Sequence, residues 1–359
     1  MDDLLDGIFG SSGGSAPVGN PQPSENFSSD AIKIVTVGVG GAGLNQLDRL
    51  VKAGVKGTEF VGVNTDMQHF KIIDDRVKKI LIGKAITRGL GAGGDPQIAA
   101  KAFEADRALV EKELEGAQLV FICAGMGGGT GTGVAPLIAE MAKEQGAIVM
   151  AVVSYPFKLE RVRRVKADEG IRNLRKHADS VVIVDNNRIV ELFPNLPMRD
   201  AFAVADEVIA KALGGLTWTI TQVSMMNIDF ADVRAVLSNG DVGFISVGVG
   251  KGANKVQDAV EGVLKNRLLD VSFEGAKGAL IHLTGGPSLT MGDANKAGTM
   301  ITDMMDEMAN VKLGARIVPA YEDKLEIVAI VSGVKGASIA GRSLDSLEEN
   351  NDRLSLDYL

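Results

Sequence analysis

Residues 119–136 read LVFICAGMGGGTGTGVAP, an apolar run that leads into a loop with five glycines and two threonines between Gly127 and Gly133. Glycine adopts positive φ without steric penalty, so a run of glycines can turn several backbone N–H groups toward one point and form an anion-binding nest. The residues after the loop have helical apolar spacing, at Val134, Leu137, Ile138 and Met141. Pro136 suits the first turn of that helix. The stretch therefore predicts a strand, a phosphate cradle and a helix N-terminus in immediate succession.

The cradle is not a P-loop, because the GxxxxGK[ST] pattern is absent and no lysine lies in the loop. Thr130 and Thr132 add hydroxyl donors to the backbone N–H groups. The helix dipole and Mg²⁺ are therefore expected to neutralise the phosphate charge. A flexible glycine-rich loop without a ligand is the alternative, and the flanking strand and helix argue against it.

Apolar runs rich in Val and Ile organise the first half of the chain, namely IKIVTV, FVGV, KILI, LVFICA, IVMAVV and SVVIV. Each run is followed by a loop and, in most cases, by a helical segment. Strands that alternate with helices and lack polar alternation predict an α/β fold with a Rossmann-like, doubly wound parallel sheet. Ligands of such sheets bind beyond the carboxyl ends of the strands, where the glycine-rich loops lie.

Two further glycine-rich loops follow strands of this sheet. The first, GVGGAG, places Gly38, Gly40 and Gly43 in a G-x-G-x-x-G pattern. Asp66 lies 23 residues beyond it, which completes the fingerprint of a nicotinamide-dinucleotide site, so an NAD-dependent dehydrogenase is an alternative function. The second loop, RGLGAGGDP at 88–96, follows the third strand. Three such loops at adjacent strand ends favour one nucleotide whose phosphate tail is held from several sides.

The chain is predicted to divide into five segments. These are a disordered N-terminal extension over 1–30, a nucleotide-binding domain over 31–198, a core helix with its connecting loop over 199–226, a smaller C-terminal α/β domain over 227–334, and an acidic flexible tail over 335–359. The smaller domain is expected to contain about four strands. Its helices are expected near 253–268 and 292–308, and its last two strands, in RIVPAYEDKLEIVAIV, are expected to form a hairpin.

Composition excludes several classes of function. The 359 residues are 45% apolar and carry a formal net charge of −8, with a pI near 5.1. This balance disfavours nucleic-acid binding, which needs a basic face. No apolar run is long enough to insert into a membrane, and no N-terminal pattern predicts secretion. The single cysteine, Cys123, excludes an intrachain disulfide and fits a reducing cytoplasm, and three scattered histidines argue against a zinc site.

The motifs, taken together, resemble the tubulin/FtsZ superfamily. GMGGGTGTGVAP resembles its signature loop, and VGVGGAG, VNTD, GLGAGGDP, SYPF, DAFAVADEV and NIDFADVR occur in the order that FtsZ shows, from about residue 31 to 334. The resemblance implies a GTPase that binds GTP or GDP with Mg²⁺, and K⁺ as a further candidate ion. It also implies a homopolymer that assembles head-to-tail in the cytoplasm and forms the division (Z) ring at midcell.

The resemblance assigns roles residue by residue. Around the phosphates it places Gly40, Gly41, Ala42, Ala92, Gly93, Gly127, Gly128, Gly129, Thr130, Gly131, Thr132 and Gly133. Near the terminal phosphate and its ion it places Asn64 and Asp66, and near the ribose and base it places Glu160 and Arg164. At guanine-contacting positions it places Asn45, Asn186, Phe202 and Asp206.

The chemistry of the last two residues agrees with a guanine site. A carboxylate at Asp206 accepts hydrogen bonds from guanine N1–H and N2–H₂, and the ring of Phe202 stacks on the base. Taken singly, Phe202 would more often be helix core and Asp206 a solvated helix position. Their F-x-x-x-D spacing places both on one helix face, which favours the joint interpretation.

The motif NIDFADVR carries the predicted catalytic residues, Asn227, Asp229 and Asp232. Helix capping is the alternative, since Asn227 and Asp229 are good N-cap residues and acids suit a first helical turn. The family resemblance favours catalysis, in which the two carboxylates polarise the attacking water in the next subunit of a filament. Supplying a catalytic group in trans resembles the arginine-finger logic of other GTPases. The contact is then heterologous and open-ended, so hydrolysis depends on assembly.

Three features depart from the FtsZ pattern. They are SMMN before the acidic motif, LTWTITQV with Trp218 in the core helix, and Leu44 in place of the commoner Asn or Gly. The tail also lacks the basic, proline-containing peptide with which bacterial FtsZ binds membrane adaptors, so residues 1–9 or the end LSLDYL are candidates for that contact. The pattern as a whole leans archaeal.

Two further alternatives belong to the same superfamily. A tubulin-like GTPase for cell shape or plasmid partition would share all the nucleotide chemistry. An assembly-deficient regulatory paralogue would not need the catalytic acids, so the retention of Asp229 and Asp232 argues against it.

Overall fold

The computed structural model describes residues 32–221, 229–237, 243–265 and 273–334, and the backbone of 338–339 and 342–343. The predicted N-terminal extension, Asn227 and almost all of the predicted tail lie outside these residues. None of the helices in the described part is both long enough and apolar enough to cross a bilayer.

A parallel sheet forms the first part of the molecule. Its strands are β1 Ile34–Val39, β2 Glu59–Asn64, β3 Lys78–Leu81, β4 Leu119–Gly125, β5 Ile148–Tyr155 and β6 Ser180–Asp185. They pair in the order β3-β2-β1-β4-β5-β6, with every neighbouring pair parallel. This is the predicted doubly wound sheet, and it follows from apolar strands such as β1, in which all six residues are buried.

Helices connect the strands and cover the sheet. They are α1 Gly40–Lys52, α2 Lys84–Thr87, α3 Pro96–Ala105, α4 Arg107–Leu114, α5 Thr130–Glu144, α6 Arg161–Arg175 and α7 Asn186–Leu192, with a 3₁₀ turn at His69–Ile72. Strand order reverses between β1 and β4, where successive connections leave toward opposite edges of the sheet. Such a reversal opens a crevice at the carboxyl ends of the strands.

Helix α8, Met198–Thr221, lies between the two sheets and contacts α1 as well as strands of the second sheet. It runs through Gly214-Gly215 without a break. Packing explains Trp218, one of the residues that depart from the FtsZ pattern. The Arg316 guanidinium lies over the indole at 4.1 Å and donates to the Thr284 hydroxyl at 2.8 Å. The Trp218 ring also contacts His282, and burial lowers the pKa of that histidine to about 3 and keeps it neutral.

The second part contains α9 Phe230–Leu237, β7 Gly243–Lys251, α10 Lys255–Leu264, β8 Gly278–Gly285, α11 Met291–Thr302, β9 Asn310–Ile317 and β10 Lys324–Ser332. Short 3₁₀ turns lie at Gly252–Asn254 and Pro319–Tyr321, and β11 Ser338–Ile339 pairs antiparallel with β12 Arg342–Ser343. The larger sheet has four strands, as predicted, in the order β7-β10-β8-β9.

The predicted terminal hairpin is wrong. Strand β9 pairs with β8 in parallel, and β10 lies between β7 and β8 and is antiparallel to both. The burial of the two strands explains the arrangement, because β10 is buried over its last six residues and fits the centre of the sheet. Most residues of β9 are only half-buried, which suits an edge.

The bounds of the two predicted helices of this part differ from the expected ones. Helix α11 ends at Thr302 rather than near 308, because tertiary backbone bonds compete with helical ones in the following turn. There the Asp306 N–H donates to the carbonyl of Ala276, and the Asn310 N–H donates to that of Lys277. Helix α10 begins at Lys255, after a 3₁₀ turn, and residues 266–268 of its predicted span lie outside the described part.

Candidate functional site

A cleft of about 430 Å³ opens at the carboxyl ends of the parallel strands, over the reversal between β1 and β4. Thirteen of the predicted binding residues line it, namely Gly40, Gly41, Ala42, Asn64, Asp66, Ala92, Gly93, Gly128, Gly129, Thr130, Gly131, Glu160 and Asn186. They come from loops that are distant in sequence and that the sheet brings to one edge. The volume is that of a small-molecule site.

Helices α1 and α5 begin at this cleft without a side-chain cap. Helix α1 starts at Gly40 and α5 at Thr130, and the preceding residues offer no polar side chain, since Val39 is apolar and Gly129 has no side chain. Helix α7 also begins at the cleft, at Asn186, but Asp185 caps its N-terminus. Uncapped N-termini keep their backbone donors and their partial positive charge for an anion.

Close backbone approach explains two of the glycines. A Cβ on Gly131 would lie 2.3 Å from the carbonyl oxygen of Gly125, so α5 could not begin so near the end of β4 with any larger residue. Gly40 has φ +70, and a Cβ there would lie 3.0 Å from the Gly131 nitrogen. The two glycine loops therefore meet backbone to backbone, and the two uncapped N-termini face the same cleft.

Loop 88–96 closes a third side of the cleft. Gly91, Ala92, Gly93 and Gly94 line it, and the loop contacts the cradle where a Cβ on Gly129 would lie 3.0 Å from the Cβ of Ala92. Lys166 of α6 donates to the Gly94 carbonyl at 2.6 Å and holds the loop from the far side.

Polar side chains at the end of β2 face the cradle. The hydroxyls of Thr65 and Thr130 lie 2.8 Å apart, and Asn64 Oδ1 accepts the Thr65 N–H at 2.9 Å. Asp66 lines the cleft and accepts the Gln68 N–H at 2.8 Å. Among the described residues, no three His, Cys, Asp or Glu side chains gather to hold a metal ion. Asp66 and Thr130 are the side chains at this position that would hold a Mg²⁺ ion together with the phosphates of a nucleotide.

The arginine that lines the rim of the cleft is Arg163 rather than the predicted Arg164. Arg163 lines the cleft and pairs with Glu160, whose other oxygen accepts the Phe157 N–H at 3.0 Å. Arg164 does not line the cleft, because one step along a helix turns its side chain toward the Tyr155 hydroxyl.

The four residues predicted to contact guanine form a wall beside the cleft. Of these four, Asn186 is the one that also lines the cleft. The Phe202 ring packs edge-on against Phe157 at 6.0 Å between centroids, and the Asp206 carboxylate pairs with Arg49.

Asn45, on helix α1, is part of the same wall. Its Oδ1 lies 2.9 Å from His69 Nε2, and His69 itself lines the cleft. The polar atoms of Asn45 and Asp206 thus have partners within the protein.

Three predicted phosphate ligands, Gly127, Thr132 and Gly133, lie behind the cleft surface. The Gly127 N–H donates to the Thr132 hydroxyl at 2.8 Å, so this pair shapes the loop and that amide is engaged within the protein. Gly133 packs against α3, where a Cβ would lie 2.2 Å from the Pro96 carbonyl oxygen. None of the three is among the lining residues.

Ten lining residues are not among the site residues predicted singly, although four of them lie in the predicted glycine-rich loops. The four are Gly91, Gly94, Gly125 and Met126, and the others are Val39, Thr65, His69, Ser154, Pro156 and Arg163. Most directly follow or end a parallel strand, so position alone could have identified them. His69 had no such signal, because its approach to the cleft depends on the 3₁₀ turn that reverses the chain after β2.

The acidic motif lies elsewhere. Asp229 caps α9, since its carboxylate accepts the Asp232 N–H at 2.7 Å. Asp232 is about a quarter exposed and pairs with Lys312 of β9 at 2.6 Å. Arg234 on the same helix reaches the Gly146 carbonyl at 3.5 Å. Gly146 precedes β5, whose far end carries Ser154 in the cleft. The acids therefore lie at the amino-terminal edge of the parallel sheet and the cleft at its carboxyl edge.

The fold and the cleft define a nucleotide-binding protein whose cleft is lined by the N-termini of two glycine-rich helices rather than by a P-loop. The family profile described as "Tubulin/FtsZ family, GTPase domain" matches residues 33–194, and "FtsZ family, C-terminal domain" matches 241–335. The chain belongs to the FtsZ family and is a GTPase, which converts GTP and water to GDP and phosphate. This membership leaves the dehydrogenase alternative without support.

Known FtsZ proteins are similar to this chain over most of its length. The chain is 53% identical to cell division protein FtsZ 2 of Methanocaldococcus jannaschii over 313 residues, which cover 86% of this chain and 82% of the relative. It is 48% identical to cell division protein FtsZ 2 of Haloferax volcanii, over 87% and 78% of the two chains. A solved structure of an empty FtsZ dimer from M. jannaschii superposes with TM-score 0.78 at 40% identity, over 85% of this chain and 89% of that one.

Proposed function

We propose that this GTPase polymerises head-to-tail into filaments, that each active site is completed by the acidic motif of the next subunit, and that the filaments form the division ring at midcell. The observation that carries the proposal is the placement of the cleft and the acids at opposite edges of one parallel sheet.

The separation is too large for one chain to complete its own site. From Gly146 to Ser154 the chain advances along β5 at about 3.3 Å per residue, so the two edges are roughly 25 Å apart. Asp232 cannot reach a phosphate held by the Gly131 backbone of the same subunit. Stacking a second copy in the same orientation brings its amino-terminal edge onto the first copy's cleft, which is a heterologous contact that continues without closing.

The rim of the cleft has the surface that such a contact needs. Exposed apolar side chains, with exposures of 45% to 83%, lie in the same chain segments as lining residues, namely Met67, Ile72, Leu90, Leu159, Val162 and Val165. Apolar groups clustered around a polar cleft are typical of a protein interface. Self-association is consistent with the dimer of the M. jannaschii relative.

In the assembled site, the α1 and α5 N-termini hold the phosphates and the neighbour's Asp232 accepts a proton from the attacking water. The water oxygen forms a bond to the γ-phosphorus while the bond to the β–γ bridging oxygen breaks, which releases phosphate and leaves GDP. Mg²⁺, when bound with GTP, neutralises phosphate charge, and K⁺ remains a further candidate ion. Asp229 holds the first turn of α9, and general base catalysis contributes about 10²–10⁴-fold.

Base recognition belongs to the wall beside the cleft. Guanine binding would exchange the Asp206–Arg49 pair for bonds from guanine N1–H and N2–H₂, with Phe202 moving from Phe157 to the base. Affinities of Asp206→Asn for GTP and XTP test this, since an amide suits the C2 carbonyl of xanthine, and an unchanged preference for GTP would contradict it.

Assembly is the direct test of the proposed function. Pelleting and negative-stain electron microscopy are expected to show filaments with GTP and Mg²⁺ and none with GDP. A protein that stays in the supernatant with GTP across the micromolar range would contradict the proposal.

Attachment of the ring to the membrane is proposed to use an adaptor that binds residues 1–9 or the C-terminal tail. Deletion of each segment, followed by imaging of ring position in cells, tests this part, and normal rings in both deletions would exclude it.

A further inference from the structure

The ion pair between Asp232 and Lys312 joins the acidic motif to a distant strand. Lys312 lies on the edge strand β9, 80 positions along the chain from Asp232, and its Nζ is 2.6 Å from Asp232 Oδ1. Both side chains are partly exposed, Lys312 at 35% and Asp232 at 27%. A surface ion pair of this kind adds little to the free energy of unfolding. Its effect on the direction of the Asp232 carboxylate is therefore more important than its contribution to stability.

The helix that carries Asp232 is firmly packed. Val233, Val236 and Leu237 are fully buried, and the Ser332 hydroxyl of β10 donates to the Val236 carbonyl at 2.6 Å. Asp232 therefore projects from a fixed backbone, and Lys312 selects the direction of its carboxylate. A second bond restrains the same turn, from the Asp232 N–H to Asp229.

Lys312 also reduces the charge repulsion in the proposed site. Two carboxylates, Asp229 and Asp232, must approach a triphosphate of the same sign, and repulsion grows as the interface excludes water. The Lys312 ammonium offsets one of the two charges. Hydrogen bonding from Lys312 is the largest cause that holds the pKa of Asp232 below its ordinary value, and Asp229 also acts on both groups.

We infer that Lys312 is a positioning residue for GTP hydrolysis: it orients the Asp232 carboxylate toward the neighbouring subunit's nucleotide and compensates the charge of the acidic motif when the two subunits dock. The inference rests on the proposed function. It differs from that function in assigning a task to a residue outside the nucleotide cleft and outside the NIDFADVR motif.

The test compares Lys312→Met with Lys312→Arg in the full-length protein. We expect Lys312→Met to lower turnover per polymerised subunit by about ten-fold, the scale of a small misplacement of a catalytic group, while KM for GTP stays within two-fold. Lys312→Arg should retain at least about half of wild-type turnover, because it keeps the charge and a donor. The matched control is Lys265→Met, which removes an exposed lysine from the Glu261 pair on α10 and should change nothing.

A pH profile separates positioning from simple destabilisation. Lys312 lowers the pKa of Asp232, so its removal raises that pKa and should move the acid limb of turnover to higher pH. Among the described residues, the charged groups that act on Asp232 are Lys312 and Asp229. If Lys312→Met fails to pellet, its turnover is measured in mixed filaments with excess Asp232→Ala protein, with wild type in the same mixture as the reference.

The outcomes are distinct. Wild-type turnover and an unmoved acid limb in Lys312→Met, together with a large loss in Asp232→Ala, would overturn this inference and leave the proposed function standing. Equal losses in Lys312→Met and Lys312→Arg would overturn it as well, since a retained charge should rescue. Undiminished turnover in Asp232→Ala would overturn the proposed function itself.

Discussion

Asp232→Ala is expected to lower GTP turnover by about 10²–10⁴-fold while GTP affinity stays within two-fold of wild type. The affinity should be preserved because Asp232 lies at the opposite edge of the sheet from the cleft of its own subunit. Turnover should fall because the neighbouring nucleotide loses its proton acceptor. The measurement is phosphate release at saturating GTP, with affinity from nucleotide titration of dilute protein.

One matched control accompanies this substitution. Glu261→Ala removes an acid from a comparable exposed ion pair on α10 and should leave turnover unchanged. Asp229→Ala is less informative, because it also removes the cap of α9 at a cost of about 1 kcal/mol. Wild-type turnover in Asp232→Ala would remove this residue from the mechanism.

Gly131→Ala is expected to weaken GTP binding by about 10- to 100-fold, which corresponds to the loss of one hydrogen bond to a charged group at about 1.5–3 kcal/mol. Its new Cβ would lie 2.3 Å from the Gly125 carbonyl oxygen, a backbone atom at the end of β4. The start of α5 must therefore move away from β4, and the phosphate donors move with it. Isothermal titration with GTP measures the loss.

The matched control for this substitution is Gly292→Ala. Gly292 occupies the first turn of α11, as Gly131 does in α5, but the nearest atom to its Cβ would be Thr290 Oγ1 at 3.6 Å. Alanine should be tolerated there and should favour the helix slightly. Equal GTP affinity in Gly131→Ala and wild type would mean that the α5 N-terminus does not hold the phosphates.

Local chemistry explains how much of the site the sequence could predict. The strand, cradle and helix at 119–144 follow from glycine content and apolar spacing, which neighbours in the chain determine. The convergence of three loops on one cleft follows from the parallel sheet, because carboxyl ends of parallel strands share an edge. These features need no knowledge of distant contacts.

The features that sequence missed all depend on distant packing. Strand β10 takes the centre of the second sheet because it is the more apolar strand, which overrides the local preference for a hairpin with β9. Arg163 rather than Arg164 lines the cleft because of the rotation of α6 relative to the sheet. The pairing of Asp232 with Lys312 depends on how α9 lies across the second sheet, and no motif records it.

If the active site forms between subunits, GTP hydrolysis requires assembly. This requirement is tested by measuring GTP turnover per protein molecule as a function of protein concentration, with Mg²⁺ and K⁺ present and pelleting followed in parallel. We expect a threshold concentration below which turnover and pelleting vanish together. Constant turnover per molecule down to high dilution would show that one chain completes its own site, and it would exclude the shared active site while leaving the GTP cleft in place.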